Sequence, residues 1–284
     1  MSTRTSAPNS ITIRGREFRW GIRTYLMGVV NVTPDSFSGD GLGLDVEAAV
    51  AQGHRFEEEG ADILDVGGES TRPDFAPILV EDELRRVVPV VRRLAAETSL
   101  PVSIDTYKPE VAEAAIAAGA HMLNDIWGFR HEGDGARLAR LAAASGLPVV
   151  VMHNQRGRQF HDVIGDLLAG LRESLRIARE AGIPEERLII DPGFGFGWDE
   201  EQNLEMLRRL AELRVLERPI LIGTSRKSTI GKVLGLPVEE RLEGTAATVA
   251  IAIAHGADIV RVHDLKAMVR VARMTDAVVR GKLV

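Results

Sequence analysis

The chain has 284 residues, 45% of them hydrophobic and 27% charged, which is enough to bury a large core as one α/β barrel or two smaller domains. A formal net charge of -6 without any extended basic run excludes a general nucleic-acid or membrane surface. The absence of cysteine excludes disulfides and thiolate metal sites, and makes a reducing cytoplasm the natural compartment.

Met1 to Ser10 is polar and lacks the apolar stretch of a signal peptide or anchor, so residues 1–10 are expected to be a disordered tail. No apolar run approaches the roughly 18 residues that a bilayer span needs. Ile11 to Trp20 alternates apolar and polar around Arg14-Gly15-Arg16, a hairpin pattern suited to capping the lower end of a barrel. From Tyr25 a rhythm sets in. Short β-branched runs predict strands over 25–30, 62–66, 101–104, 121–123, 148–152, 187–190, 219–222 and 258–262. Between them, Ala-, Glu- and Arg-rich segments predict helices over 46–59, 81–97, 110–118, 135–145, 163–181, 204–212, 242–254 and 265–280. Glycines at 60, 119, 146, 182 and 256 follow helical runs, where left-handed caps are expected. Three helix–strand junctions read alike, as Gly60-Ala-Asp, Gly119-Ala-His and Gly256-Ala-Asp. Eight strand–helix pairs predict an α/β fold, a (β/α)8 TIM barrel with a short N-terminal β-hairpin, as a single domain over 11–284. No Gly-x-Gly-x-x-Gly follows the first barrel strand, which weighs against a dinucleotide-binding half.

The first barrel strand ends abruptly at Asn31, because Pro34 lacks an amide hydrogen and cannot continue a central strand. In such a barrel the site lies where the strands end. Those ends read Asn31; Asp65 with Glu69-Ser70-Thr71-Arg72; Asp105; Asn124-Asp125; His153; Asp191; Thr224-Ser225-Arg226-Lys227; and Arg261 with His263. Any one Asp after a strand also reads as a helix N-cap. Asp105, Asn124 and Asp191 are short acceptors and amides near an apolar mouth, suited to a flat heterocycle with ring N–H and amino donors. Arg72, Lys227, Arg261 and His263 are cationic or can become so, and suit an anion such as phosphate. Arg226 reads equally as a ligand contact or as a salt bridge to an acidic loop residue. Asn31 is a neutral oxygen donor that, with substrate phosphates and water, suits Mg2+. His153 reads as a neutral barrel-top residue. The glycines of Asp191-Pro-Gly-Phe-Gly-Phe-Gly would let backbone approach a ligand, with Phe194 or Phe196 against it.

Taken together, Gly28-Val-Val-Asn-Val-Thr-Pro-Asp-Ser-Phe-Ser, Asp65-Val-Gly-Gly-Glu-Ser-Thr-Arg-Pro, Ser103-Ile-Asp-Thr, Asn124-Asp-Ile, Val151-Met-His, Asp191-Pro-Gly-Phe-Gly-Phe-Gly, Gly223-Thr-Ser-Arg-Lys-Ser and Arg261-Val-His-Asp resemble the dihydropteroate synthase family. The resemblance runs from residue 25 to the C-terminus. It implies an enzyme that joins p-aminobenzoate to 6-hydroxymethyl-7,8-dihydropterin diphosphate. By the same resemblance, Asp105, Asn124, Asp191 and Lys227 would hold the pterin edge, with Met152 beside the ring and Arg261 stacked on it. Asn31, Arg261 and His263 would hold the diphosphate and its Mg2+. Phe37, Thr71, Arg72, Pro73 and Ser225 would form the p-aminobenzoate side. Of these, Asp105, Asp191, Lys227 and Arg261 are expected to carry the catalysis. The family also implies a homodimer through the later helices. One departure is the first loop, Ser36-Phe-Ser-Gly-Asp-Gly, which places its acid one residue late, at Asp40, leaving Asp35 or Asp40 to close over the diphosphate. The rival readings are a methyltetrahydrofolate-dependent corrinoid methyltransferase, which has no use for a diphosphate site, and a catalytically silent pterin-binding paralogue.

Overall fold

The computed structural model describes residues 10–33, 46–70 and 77–281. The expected tail up to residue 9, Asp35, Phe37, Asp40, Thr71, Arg72 and Pro73 lie outside the described residues. An antiparallel hairpin of β1 (Ser10–Ile13) and β2 (Arg16–Arg19) comes first, so Ser10 belongs to a strand rather than to the tail. Arg14 and Gly15 turn it, both at positive φ (48° and 73°). Eight parallel strands then alternate with helices. They are β3 (Tyr25–Asn31), β4 (Ile63–Gly67), β5 (Val102–Asp105), β6 (Met122–Asp125), β7 (Val149–Met152), β8 (Leu188–Asp191), β9 (Leu221–Ile222) and β10 (Ile259–Val262). Strands β3 to β8 pair in sequence order, β10 joins β3 to β9, and a parallel bridge between Ile190 and Ile220 brings β9 back to β8. The result is a (β/α)8 TIM barrel.

The helices around it are α1 (Val46–Glu59), α2 (Val80–Glu97), α3 (Pro109–Ala117), α4 (Gly135–Ser145), α5 (Val163–Ala181), α6 (Glu200–Arg209), α7 (Ser228–Leu234), α8 (Leu242–Ala254) and α9 (Leu265–Arg280). Two departures from expectation exceed a residue or two at an element's end. The helix expected over 204–212 begins at Glu200, because Asp199 and Gln202 form a reciprocal capping box there. The short α7, unforeseen, is an extra turn of helix between β9 and α8, where barrels often insert one.

Strand alternation sorts the side chains. Outward-facing Leu26, Leu64, Val66, Val102, Ile104, Leu123, Val149, Val151, Ile190 and Val260 pack in one cluster with the helices. Inward-facing Tyr25, Met27, Ile63, Met122, Val150, Ile189, Leu221 and Ile259 form a second cluster with Ile11, Ile13 and Phe18 of the hairpin. The hairpin therefore plugs the lower end of the barrel, as its pattern suggests. The three like junctions share one geometry. Ala61, Ala120 and Ala257 each donate their amide to the carbonyl five residues back, with the preceding glycine at φ near 100°. The next side chain then accepts an amide from the start of a neighbouring strand: Asp62 from Leu26, His121 from Val102, and Asp258 from Ile220. The repeated tripeptide is thus a device for satisfying backbone donors at the bottom rim. Among the described residues, no helix is long and apolar enough to cross a membrane.

Phe18 is 2% exposed and fills the mouth of the inner cluster. Its replacement by Ala is expected to lower unfolding free energy by about 3–5 kcal/mol. Because the plug lies at the end away from the strand C-termini, binding at the upper end should stay intact. Denaturant unfolding checks this; a loss below about 1 kcal/mol would mean that the plug is not part of the core.

Candidate active site

The alternation that makes the lower interior apolar places a different set of residues two positions further up each strand. Ile63 is followed inward by Asp65, Ser103 by Asp105, Met122 by Asn124, Val150 by Met152, Ile189 by Asp191, and Ile259 by Arg261. One apolar layer therefore separates the hairpin plug from a layer of charge.

Arg261 stands at the centre of that layer. Its Nε donates to Asp65 Oδ2 at 2.6 Å and its Nη2 to Asp105 Oδ2 at 2.8 Å. Asn124 Nδ2 donates to the same Asp65 oxygen at 3.0 Å. A carboxylate oxygen can only accept here, so the Asn124 amide is fixed with its carbonyl oxygen turned away from Asp65. Asp191 Oδ1 accepts from the Gly193 amide at 2.7 Å, which leaves Oδ2 for another donor. Asp65 is fully buried, and its Oδ1, like the Ser103 hydroxyl, has no protein partner.

Burial tunes the charges. It pushes the Asp105 carboxyl above the ordinary range, with Arg261 opposing. It pushes Asp191 up to about 6, against the Gly193 amide. Burial and the neighbouring Arg261 pull Lys227 down to about 8. For Arg261 itself burial works against the charge, yet Asp65 and Asp105 more than compensate and raise its pKa. The layer thus sets acceptors on the strand side beside two cations, in a partly buried space.

Lys227 Nζ lies 4.2 Å from the centre of the Phe196 ring, and the Arg156 guanidinium lies 4.9 Å from it. Phe196 packs with Met152, Tyr107 and Ile126, and with the partly buried Trp127, forming an apolar wall at the same mouth. Of the two phenylalanines proposed for that wall, Phe196 lines it. Phe194 belongs to the outer core, where it is 1% exposed. The β8 loop can fold this way because Gly193, Gly195 and Gly197 all take positive φ; a Cβ at 195 would press on the Lys227 side chain.

Several sequence-based readings are settled by contacts. Asp105 and Asp191 are not helix caps: Lys108 and Asp199 occupy the N-caps of α3 and α6. Arg226, at φ 58°, pairs bidentately with Asp264 at 2.9 and 2.5 Å, so of its two readings the salt bridge is the observed one. Asp125 points outward and accepts from the Trp127 and Phe129 amides, building a turn. His153 is buried, bonded through Nε2 to Gln155 Oε1 at 2.8 Å, and burial lowers its pKa to about 4, in keeping with a neutral imidazole. His263 departs from its reading as a potential cation. Its Nδ1 lies 3.0 Å from Ser225 Oγ, its amide donates to the same hydroxyl at 3.2 Å, and burial with Arg261 lowers its pKa to about 3. Asp65 is the residue that sequence reasoning left without a role. Its signal was its inward register, two residues above Ile63.

Asn31 ends β3 on the inward register, beside Gly67 of β4. Among the described residues, no cluster of three His, Cys, Asp or Glu could hold a metal. A lone neutral oxygen donor suits a hard cation that keeps most of its shell as water and phosphate, so the residues present fit Mg2+ in that limited sense.

A family model described as pterin binding enzyme matches residues 27–263. The chain is 49% identical over 269 residues to the dihydropteroate synthase of Clostridium beijerinckii, covering 94% of this chain and 99% of that one. Among solved structures, it is similar to a Clostridium difficile dihydropteroate synthase crystallised in the presence of pteroic acid. That match has a TM-score of 0.88 and 46% identity, over 92% of this chain and 98% of that one. A Xanthomonas albilineans dihydropteroate synthase with 4-aminobenzoic acid matches with a TM-score of 0.89 and 45% identity, covering 96% and 98%. The chain belongs to the pterin binding enzymes. Within them its likeness is to the dihydropteroate synthases, over nearly the full length of each.

The environment of His263 makes a prediction of its own. Its imidazole nitrogens, followed by 15N NMR, should report a neutral ring from pH 8 down to about 5. A titration centred near the ordinary 6.5 would mean that the ring is solvated and can serve as a cation.

Proposed function

We infer that the chain catalyses the dihydropteroate synthase reaction, condensing 6-hydroxymethyl-7,8-dihydropterin diphosphate with p-aminobenzoate to give 7,8-dihydropteroate and diphosphate. The observation that carries this reading is the juxtaposition, in one buried layer, of acceptors for a donor-rich ring and of cations for an anionic leaving group. A reduced pterin presents an amino group and ring N–H donors along one edge. Asp191 Oδ2 and the Asn124 carbonyl oxygen supply acceptors for such an edge, with Asp105 beside them. Met152 and Phe196 offer it an apolar wall.

In the reaction the C–O bond from the pterin methylene to diphosphate breaks, and a C–N bond to the arylamine forms. The amine then loses a proton to solvent or to the leaving group. Arg261 and Lys227 stabilise the charge gathering on the departing diphosphate, and Ser225 and the neutral His263 offer it hydrogen bonds. Asp105 and Asp191 stabilise the positive charge left on the ring and methylene. The arylamine is already a neutral nucleophile at pH 7, so no strong general base is required. Mg2+, held by Asn31 with phosphate oxygens and water, would supply Lewis-acid charge neutralisation at the diphosphate. Phe37, Thr71, Arg72 and Pro73 are proposed with Ser225 for the p-aminobenzoate side, and Asp35 or Asp40 for the diphosphate.

We also propose that the protein is a cytoplasmic homodimer that pairs through α8. The helix carries one charged residue, Glu243, along Leu242–Ala254, and exposes Leu242 and Ile251 (38% and 45%) beside the exposed Val233 and Leu234 of α7. A monomeric mass in solution, measured by light scattering, would contradict this.

The test of function is diphosphate release from dihydropterin diphosphate and Mg2+, with and without p-aminobenzoate. Release that requires p-aminobenzoate is expected; release without it, or none, contradicts the reading. The site charges also set a pH window. Asp191 must be ionised to accept, which needs pH above about 6, and Lys227 must stay charged, which needs pH below about 8. Thus kcat/KM for the pterin substrate should be bell-shaped, with limbs near those values. Asp191→Asn should lower kcat/KM at pH 7 by about 100-fold and remove the acid limb. An unchanged acid limb in that variant would rule out Asp191 as its source.

A further inference from the structure

Behind the apolar wall lies a buried polar cluster that the reaction does not use. His153, 1% exposed, follows the inward-facing Met152 and so faces outward, against Gly170 of α5. Its Nε2 lies 2.8 Å from Gln155 Oε1. The Gln155 amide nitrogen donates to the Gln159 carbonyl at 3.3 Å, and a carbonyl only accepts, so Oε1 is the atom that faces His153. The imidazole must therefore donate from Nε2, and in a neutral ring Nδ1 is then a bare acceptor. That nitrogen takes no partner from the protein, and neither does the equally buried Arg130 Nη1. The two are neighbours: a Cβ on Gly170 would stand 2.0 Å from His153 Nδ1 and 2.8 Å from Arg130 Nη1. A guanidinium only donates, so a permanent donor stands beside the bare acceptor. Burial, and after it Arg130 and Arg158, disfavour the charged ring, while the Gln155 bond and Asp166 favour it. Trp198 packs over the imidazole with ring centres 5.5 Å apart.

What this segment touches gives the cluster its meaning. Gln155 also donates its backbone amide to the Phe196 carbonyl at 3.0 Å, and the His153 amide donates to the Asp191 carbonyl at 2.9 Å. The β8 loop lies flat on the segment only because of its glycines. A Cβ at 193 would stand 1.9 Å from the His153 carbonyl oxygen, and one at 197 would stand 2.4 Å from the Arg156 amide nitrogen. On the other side, Arg130 Nη2 donates to the Met152 carbonyl at 3.4 Å, and Asn154 Nδ2 to the Ile126 carbonyl at 3.3 Å. Met152, Ile126 and Phe196 belong to the wall, so the loops after β6, β7 and β8 are laced together behind the face they present. For stability alone the cluster is a poor device, because buried nitrogens without partners cost free energy that apolar side chains would not. What it fixes is the orientation of Gln155 and, through the Gln155 amide, the position of Phe196.

We propose that His153 is a positioning residue for the ring-binding wall, acting as the Nε2–H tautomer through Gln155 on Phe196. Arg130 stands at the back of the imidazole and keeps the proton on the Gln155 side. Gln155, held by that proton, sets Phe196 against Met152, where Lys227 lies over the Phe196 ring. This rests on the function inferred above, which makes the wall the surface on which the pterin lies. His153 itself touches no substrate in this account.

The test measures Kd for dihydropterin diphosphate by calorimetry without p-aminobenzoate, alongside melting temperature, in the unaltered protein, His153→Gln, His153→Asn and Gln155→Met. A glutamine amide nitrogen can stand where imidazole Nε2 stands and donate to Gln155, whereas the shorter asparagine cannot reach it. Both substitutions remove the ring, so they should lower the melting temperature by similar amounts. His153→Asn is expected to raise Kd about tenfold, and His153→Gln to stay within about threefold of the unaltered protein. Gln155→Met removes the same side-chain bond and leaves His153 in place, which guards against His153 variants that fail to fold; it should also raise Kd about tenfold. In the unaltered protein, 15N NMR of labelled histidine at pH 7 should give His153 a protonated Nε2 and a bare Nδ1. Equal changes of Kd in His153→Gln and His153→Asn, an unchanged Kd in Gln155→Met, or a proton on Nδ1 would each overturn the proposal. An unaltered protein that does not bind dihydropterin diphosphate would instead contradict the underlying function.

Discussion

A guanidinium held between two carboxylates inside a barrel is the constraint on which the rest of this structure depends. Arg261 is half-buried, bonded to Asp65 and to Asp105, and those bonds join strands distant in sequence across the interior. Desolvating such a group is costly, and the attraction within the cluster offsets that cost only where the geometry is good and remaining polar atoms are satisfied. Here Asp65 Oδ1 and Ser103 Oγ take no partner from the protein, which leaves them to water or a ligand. An ion cluster kept under those terms is better explained by placement than by stability. It holds Arg261 between β4 and β5, and through Asp65 it decides which face Asn124 turns to a ligand.

The barrel below makes that placement possible. Along β4, β6, β8 and β10 the inward side chain changes from apolar to polar within two residues, so the charged layer rests on Tyr25, Met27, Ile63, Met122, Ile189 and Ile259. The hairpin closes the bottom with Phe18, Ile11 and Ile13, which keeps water from reaching the charges from beneath. At the bottom rim, Asp62, His121 and Asp258 satisfy strand-start amides, so the sheet needs no water there for those donors. Carboxylates with raised pKa values and a lysine with a lowered one follow from the same dry setting.

Much of this was legible in the sequence because it depends on short-range patterns. Apolar runs of three to six residues between helical segments gave the strands, glycines gave the helix ends, and polar residues just past the runs gave the layer. What escaped depends on distance or on register. Phe194 and Phe196 differ by two residues in a glycine-rich loop, and only the loop's path places one in the core and the other on the wall. The lowered pKa of His263 follows first from burial, which its neighbours in sequence do not disclose, and then from Arg261 two residues away. Arg226 finds Asp264 across 38 residues, and Lys108 finds Glu69 across 39. The short α7 lacks a capping side chain at Lys227, and only Gly235 at its C-terminal cap marks it.

The central claim is that the Arg261 layer is where the reacting ring sits. A crystal structure of the protein with a bound pterin tests it most directly. The account predicts the ring against Met152 and Phe196, its donor edge within about 3 Å of Asp191 and Asn124, and its substituent directed toward Lys227 and Arg261. A ring bound outside that layer, with Asp65 and Asp105 still closed on Arg261 and no contact to Asp191, would contradict it.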